Sequence, residues 1–245
     1  MLERIRIVLV NTSHPGNIGG AARAMKTMGL DDLWLVAPAA FPDPEASARA
    51  SGAEDVLSGA RLVATLDQAV ADAVWVVGTS ARLRAIRWPL LEPRACAAQA
   101  LAEAGQGTVA LVFGRERSGL SNEELDLCHA LVNIPANPGY ASLNLAQAVQ
   151  VLSYELRMHW LGGAATVQQA PEYPPATAAE MEGLYAHLEQ TLYQLGFISP
   201  EQPGQMMRRL RRLLQRTRPD KNELNILRGI LSAAQAKALD KAGTG

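Results

Sequence analysis

The sequence predicts an α/β fold for residues 1–162, with a parallel sheet flanked by helices, and a small all-helical extension for residues 177–245. In the first part, short Val-, Ile- and Leu-rich runs alternate with helical stretches, as expected of strands covered on both faces. Residues 163–176 lack periodicity and contain Pro171, Pro174 and Pro175, which predicts a linker. Beyond the linker, Leu and Met recur at helical spacing.

Each predicted strand is a short apolar run bounded by polar residues or glycine. The strands are Ile5–Val10, Leu33–Val36, Val74–Gly78, Val109–Phe113 and Leu131–Ile134. The helices between and after them are Gly19–Met28, Arg94–Ala104, Asn122–Leu127 and Leu143–Trp160. In such a fold we expect a substrate or cofactor at the carboxyl ends of the strands.

The extension is predicted to hold three helices, Ala178–Leu195, Gln205–Thr217 and Asn222–Leu239. In the second helix, one face is expected to be apolar and the other basic. The expected apolar residues are Met206, Leu210, Leu213 and Leu214. Asp220 and Glu223 are predicted to form a capping box at the start of the third helix.

The composition excludes several classes of protein. The 245 residues are 48% hydrophobic and 19% charged, which argues against a disordered chain. There is no signal pattern and no run near the ~20 apolar residues of a membrane span, so we expect a soluble, cytoplasmic protein with no membrane partner. Cys96 and Cys128 are far apart and there is no HExxH motif, so neither a disulfide scaffold nor a metal site is expected.

The formal net charge of −1 alone predicts no nucleic-acid partner, but the charge is unevenly distributed. Residues 1–160 carry 13 basic and 16 acidic side chains, whereas residues 161–245 carry 10 basic and 8 acidic side chains. Seven of the ten basic residues in this second part lie from Arg208 to Lys221, where Asp220 is the single acidic residue. Nineteen of the 23 basic residues are arginine, which suits planar recognition of phosphate.

The loop after the first predicted strand, NTSHPGNIGGAARAMKTMG from Asn11 to Gly29, leads directly into a helix. This geometry can present backbone N–H groups to an anion. The glycine spacing fits neither GxGxxG nor a P-loop, and the small residues Gly19–Ala22 allow close approach of another element. A tight turn with a solvated Arg23 is the open alternative.

Two further loops also follow strands. LVFGRERSGL, from Leu111 to Leu120, places three consecutive charges between glycines, which suggests a shaped backbone; an ordinary surface loop is the alternative. IPANPGYASLNLAQAV, from Ile134 to Val149, enters a long helix through a segment rich in hydrogen-bonding groups, although Ser142 could simply cap that helix. A weaker signal is Gly78–Arg82, which ends a strand with two hydroxyls and an arginine.

In this order and spacing, the motifs GNIGGAARAMKTMG, LVFGRERSGL and IPANPGYASLNLAQAV resemble those of the SPOUT-class methyltransferases, trefoil-knotted enzymes that use S-adenosylmethionine (SAM). The resemblance covers residues 1–160 densely, including Thr79–Arg82, and residues 161–245 weakly. It implies a C-terminal trefoil knot in the α/β fold, a homodimer, and no metal. It also implies methyl transfer to a tRNA ribose 2′-OH, at position 32 of the anticodon loop, on cytidine or uridine.

Matching positions imply the residues of the site. The cofactor pocket would be lined by Thr79, Ser80, Ala81, Gly114, Ile134, Ala141, Ser142 and Leu143. The catalytic positions are Arg23, Ser142 and Asn144, with Glu116 as a loop acid and Tyr140 as a further match. The residues expected to bind RNA are Arg23, Arg82, Arg115, Arg208, Arg209, Arg211 and Arg212.

For this chemistry, the enzyme must place the 2′-oxygen opposite the sulfur and help remove its proton. A guanidinium is a poor general base at neutral pH, so we expect Arg23 to bind the adjacent phosphate and stabilise charge on the 2′-oxygen. Ser142 and Asn144 are expected to orient the nucleophile.

Several alternatives stay open at the level of sequence. The basic helix could contact phosphate or could be a solvated face over a small bundle. The chain could methylate another tRNA site or rRNA, or could be a catalytically silent RNA-binding factor of the same fold. A nucleotide-binding α/β protein is disfavoured because the phosphate-loop motifs are missing.

Overall fold

The Val-, Ile- and Leu-rich runs form strands of one sheet in which every pair of neighbours is parallel, as the alternation predicted. The structure, a computed structural model, describes residues 1–81, 89–162, 173–198 and 204–242. The strands are β1 Ile5–Val10, β2 Asp32–Val36, β3 Arg61–Val63, β4 Ala73–Thr79, β5 Leu90–Leu91, β6 Thr108–Phe113 and β7 Ala130–Val132. Their order across the sheet is β3-β2-β1-β6-β4-β7-β5.

All five predicted strands are present, and their burial explains why they could be predicted. Every residue of β1 is buried, and β4 and β6 are buried except at one end. The structure adds β3 and β5, which lie at the two edges of the sheet. Both are short and expose leucines, Leu62 at 52% and Leu90 at 49%, so neither has the apolar pattern of a covered strand.

Helices cover the sheet and place the candidate loops. They are α1 Pro15–Met28, α2 Pro44–Ala50, α3 Glu54–Ser58, α4 Leu66–Val70, α5 Pro93–Ala104, α6 Asn122–Leu125 and α7 Leu145–Gly162. The helix α1 begins four residues earlier than predicted, because proline is tolerated in a first helical turn. The predicted close approach of its small residues is confirmed: a Cβ on Gly19 would lie 2.0 Å from the Ala46 carbonyl oxygen, and one on Gly20 2.9 Å from the Ala146 Cβ.

The chain divides into two compact units, Met1–Gln169 and Ala170–Gly245. The second unit contains α8 Ala178–Gln194, α9 Gly204–Thr217 and α10 Lys221–Ala242. Its small core gathers Met181, Leu184, Tyr185 and Leu224. The predicted capping box of α10 is confirmed, since the Glu223 backbone N–H donates to Asp220 Oδ1 at 2.8 Å and the Asp220 N–H donates to Glu223 Oε2 at 2.9 Å. None of the described helices is long and apolar enough to cross a membrane.

The predicted apolar face of α9 is wrong at two positions. Met206 and Leu213 are 40% and 48% exposed, whereas Met207 is buried. The inward face is shifted because Arg211 occupies part of it, with its guanidinium carbon 4.5 Å from the centre of the Tyr185 ring. A long arginine stem can pack in this way when its charged head finds partners.

Candidate active site

A cavity of about 230 Å³ lies at the carboxyl ends of β4, β6 and β7. It is lined by all eight residues that the sequence placed around a cofactor: Thr79, Ser80, Ala81, Gly114, Ile134, Ala141, Ser142 and Leu143. Sequence reasoning missed part of its apolar wall, which Phe113, Leu120 and Val132 supply. The second and third motifs and the end of β4 therefore meet around one space, as parallel strands require.

Two hydrogen bonds to the backbone of Ser80 fix the wall that follows β4. The Ser80 N–H donates to the Val132 carbonyl at 3.0 Å, and the Asn133 side-chain amide donates to the Ser80 carbonyl at 2.8 Å. Asn133 was expected within a strand, but β7 ends at Val132. The Asn133 backbone N–H still donates to the Leu91 carbonyl at 3.0 Å, while its side-chain amide holds the segment that follows β4.

The glycines of the second motif give its loop a fixed shape. A Cβ on Gly114 would lie 2.3 Å from the carbonyl carbon of Gly119 and 2.4 Å from the backbone nitrogen of Leu120. Gly119 has a φ of +70°, in the left-handed region that favours glycine. Two backbone hydrogen bonds, at 3.3 and 2.9 Å, join Arg115 to Gly119 and close the loop. This confirms a shaped backbone over an ordinary surface loop.

Glu116 joins this loop to the first motif. Its carboxylate accepts hydrogen bonds from Ser13 Oγ at 3.0 Å, from the Ser13 and His14 backbone N–H groups at 3.2 and 3.4 Å, and from Asn17 Nδ2 at 3.0 Å. Burial by itself raises the pKa of Glu116, but the hydrogen bonds from Asn17, from the backbone of Glu116 and from Ser13 together outweigh it and lower that pKa below its ordinary value. The carboxylate is therefore held in its charged form.

Asn144 extends the same network to the third motif. Its side-chain amide donates to Asn17 Oδ1 at 2.8 Å, while its own Oδ1 accepts from the Ala146 N–H at 3.0 Å. Asn144, and not Ser142, thus caps α7, and the alternative of Ser142 as the cap is wrong. Ser142 precedes the helix and lines the cavity. Sequence reasoning missed Asn17 as the link, although an amide side chain inside the first motif was a visible signal.

The other sequence-predicted residues of the first unit lie in different settings. Arg23 is exposed on α1 and does not line the cavity. Arg115 lines the cavity, but its guanidinium donates to both carboxylate oxygens of Glu124 at 2.9 and 3.0 Å. In the structure, Arg115 therefore joins its loop to α6. Tyr140 is 81% exposed and outside the lining. Arg82 lies outside the described residues.

The cavity has the chemistry of a nucleoside pocket. Apolar side chains form much of the wall, and the hydroxyls of Thr79, Ser80 and Ser142 stand among them. Such a surface fits an adenosine group, whose base needs apolar contact and whose edges and ribose need a few polar partners. Across the ranges that the structure covers, no three His, Cys, Asp or Glu side chains form a group that could hold a metal ion.

The profile of the SpoU rRNA Methylase family matches residues 4–154, more than half of the chain. The chain belongs to this family. A second profile, that of the C-terminal domain of the tRNA methyltransferase TrmJ, matches residues 179–243. The SPOUT resemblance of the three motifs is thereby confirmed, and so are the parallel α/β architecture and the helical extension.

Relatives of known name and structure agree with this membership in the SpoU family. The chain is 56% identical over 238 residues to "tRNA (cytidine/uridine-2′-O-)-methyltransferase TrmJ" of Klebsiella pneumoniae subsp. pneumoniae, covering 96% of this chain and 98% of the relative. The crystal structure of TrmJ from Z. mobilis ZM4 matches with a TM-score of 0.80 and 38% identity, over 93% of this chain and 97% of that one. An AdoMet-bound rRNA methyltransferase from Sinorhizobium meliloti matches with a TM-score of 0.52 and 26% identity, over 64% and 56% of the two chains.

In the part of this SpoU-family chain that matches the TrmJ C-terminal profile, the arginines of α9 are not equivalent. Arg209 and Arg216 are exposed, whereas Arg208 and Arg212 are half-buried. Arg211 pairs with Glu182 and stacks on Tyr185. The basic surface that α9 offers to solvent is therefore smaller than the count of its arginines suggests.

Proposed function

We propose that the chain transfers the methyl group of SAM to a tRNA ribose 2′-OH, at position 32 of the anticodon loop. The observation that carries this proposal is that every residue that the motifs assign to a SAM pocket lines one and the same cavity. The name of the 56% identical relative supports tRNA as the substrate and cytidine and uridine as the nucleotides. With a tRNA substrate, we propose that the reaction takes place in the cytoplasm.

Bound in this cavity, SAM supplies a methyl group on a positively charged sulfur, which a nucleophilic oxygen can attack. The apolar wall of Phe113, Val132 and Ile134 would hold the adenine. The hydroxyls of Thr79 and Ser80 stand where the polar edge of the base or the ribose could find partners. The hydrogen bonds that fix Ser80 and close the loop after Gly114 would keep this pocket preformed.

The remaining residues act on the RNA in this proposal. Ser142 is exposed on the cavity lining and orients the 2′-OH through its hydroxyl. Asn144 positions Ser142 by capping α7 and by its hydrogen bond to Asn17. Arg23 binds the neighbouring phosphate and stabilises the negative charge that develops on the 2′-oxygen. The proton leaves to water, phosphate or a relay.

We include a homodimer and a trefoil knot in this proposal. The second half of α7 exposes Tyr154, Met158 and Leu161 at 48%, 45% and 59%. These large side chains are spaced four and three residues apart, which puts them on one helical face of the kind that a second copy covers. Light scattering of the chain should give twice its 26.2 kDa mass. A mass of one chain at assay concentration would remove the dimer from the proposal.

The function is tested by transfer of tritium from labelled SAM into total RNA, followed by separation of tRNA from rRNA and nuclease mapping. We expect the label in tRNA, as 2′-O-methylated cytidine or uridine at position 32. Label in rRNA would favour the substrate in the name of the family. Label at another tRNA position would keep the activity and change the site. No incorporation would leave an RNA-binding factor without activity.

A further inference from the structure

The tip of the loop between Gly114 and Leu120, which we call the RER loop, presents a cation at the mouth of the cavity. Its base is closed by the two hydrogen bonds between Arg115 and Gly119, and Gly114 packs against the backbone of Gly119 with no room for a side chain. Glu116, Arg117 and Ser118 form the tip and all line the cavity. The hydrogen bonds and packing at the base of the loop therefore fix the backbone that carries these three residues.

Two of the three consecutive charged residues are engaged by the protein itself. Arg115 forms its paired hydrogen bonds with Glu124 and also donates to Asn11 Oδ1. Glu116 faces the start of α1, where Ser13 and Asn17 donate to it. Both charges thus serve to join the RER loop to its neighbours.

Arg117 differs from both. Its side chain is exposed, it lines the cavity, and it makes no ion pair or hydrogen bond with any part of the chain that the structure describes. The neighbouring carboxylate of Glu116 is already surrounded by donors from the first motif. A guanidinium in this position can form a bidentate contact with an anion that arrives with the substrate.

We propose that Arg117 binds a backbone phosphate of the RNA next to the ribose that is methylated, and so positions the 2′-oxygen over the cavity. This inference rests on the proposed function, since it needs an RNA substrate. It assigns the phosphate contact of the RER loop to Arg117 in place of Arg115, whose guanidinium the protein has already engaged. Arg117 is a positioning residue, because it acts on the reacting oxygen through the phosphate.

The test compares Arg117→Ala and Arg117→Lys with the unchanged chain and with Arg4→Ala. Arg4 is the control for loss of an exposed positive charge away from the cavity: it lies just before β1, at the amino ends of the parallel strands, and among the described residues its guanidinium donates only to the backbone carbonyls of Ala104 and Gly105. The affinity for an unmodified tRNA transcript is measured from 50 to 300 mM salt, and the affinity for S-adenosylhomocysteine is measured by calorimetry. Loss of one phosphate contact should weaken tRNA binding about tenfold. It should also reduce the steepness of the plot of the logarithm of the binding constant against the logarithm of the salt concentration by about 0.7–0.9.

We expect Arg117→Ala to show this loss and to raise the KM for tRNA, with S-adenosylhomocysteine binding unchanged. Arg117→Lys should keep the salt slope and regain part of the affinity, because a lysine retains the charge without the bidentate fork. Unchanged tRNA affinity and slope in Arg117→Ala would overturn the inference. Weaker S-adenosylhomocysteine binding with normal tRNA binding would also overturn it, by assigning Arg117 to the carboxylate of the cofactor. Failure of the unchanged chain to methylate tRNA would instead defeat the proposed function, and the inference with it.

Discussion

The hydrogen bonds around Glu116 lead to a prediction for Glu116→Gln, a change that keeps the size of the side chain and removes its charge. Three motif residues donate to the carboxylate: Ser13, His14 and Asn17. Glutamine has a single oxygen acceptor, so its NH₂ group must face either Ser13 or Asn17. The variant therefore loses a charged acceptor, and whichever way its amide faces, either the Ser13 hydroxyl or the Asn17 amide no longer donates to an oxygen of residue 116.

The magnitude follows from the number and exposure of these contacts. A hydrogen bond to a charged group contributes ~1.5–3 kcal/mol, against ~0.5–1.5 kcal/mol for a neutral pair. Glu116 is half-buried, so solvent offsets part of that difference. We expect Glu116→Gln to lower the free energy of unfolding by about 1–2 kcal/mol at pH 7.

This effect is measured as the free energy of unfolding of the first unit in denaturant, at pH 7 and at a series of acidic pH values. The pKa of Glu116 in the folded chain lies below its ordinary value of 4.5. The stabilisation is therefore complete above the pKa of the unfolded chain and is lost as the pH falls through the folded pKa. The difference between the unchanged chain and Glu116→Gln should shrink in the same range.

Asp67→Asn is the matched control, because Asp67 is exposed in the first turn of α4 and forms no salt bridge with the described residues. It should change stability by less than about 0.5 kcal/mol. If Glu116→Gln behaved like Asp67→Asn at pH 7, the idea that Glu116 ties two motifs together would be refuted. A deficit that stayed constant in acid would refute the assignment to the charged carboxylate.

Four further predictions concern the RER loop, Arg23 and the basic helix α9. Gly114→Ala should destabilise the chain by about 1–3 kcal/mol and weaken SAM binding, because the added methyl meets fixed backbone atoms; denaturation and calorimetry measure both, and normal SAM affinity would contradict it. Arg23→Ala should lower kcat about 100-fold or more in single-turnover assays with saturating tRNA and SAM, and near-normal turnover would remove its role in the transition state. Reversing both exposed arginines of α9, Arg209→Glu with Arg216→Glu, should weaken tRNA binding and flatten its salt dependence while SAM binding stays unchanged. Arg211→Ala should instead lower stability, since it removes the ion pair and ring contact inside the second unit, and a stable Arg211→Ala variant would contradict this packing.

The parts of the fold that the sequence predicts are those with a strong local signal. The buried central strands and the long helix α7 follow from continuous apolar runs or helical spacing. The edge strand β5 has two residues and exposes Leu90, so it depends on pairing with β7 and not on a pattern of its own. The face of α9 was mispredicted for a similar reason, since the partner of Arg211 comes from another helix.

The site, too, could be predicted from the sequence only in part. Motif positions placed eight residues around one cavity, because the carboxyl ends of parallel strands lie side by side. They did not show which charges the protein neutralises itself. The motif positions assigned RNA binding to Arg115 and not to Arg117, whereas in the structure the Arg115 guanidinium is engaged by Glu124 and Asn11. The link from Asn144 to Asn17 crosses 127 positions of the chain, beyond the reach of any local pattern.

The central claim is that the cavity delivers a methyl group to a single ribose oxygen of tRNA. It is tested most directly with two synthetic tRNAs that are identical except at position 32, where one carries ribose and the other 2′-deoxyribose. Incubated with the chain and tritium-labelled SAM, the ribose form should accept one methyl group per tRNA, and the deoxy form should accept none while binding with similar affinity. Equal labelling of the two tRNAs would contradict the claim, because the methyl group would then be attached to a base or to another nucleotide.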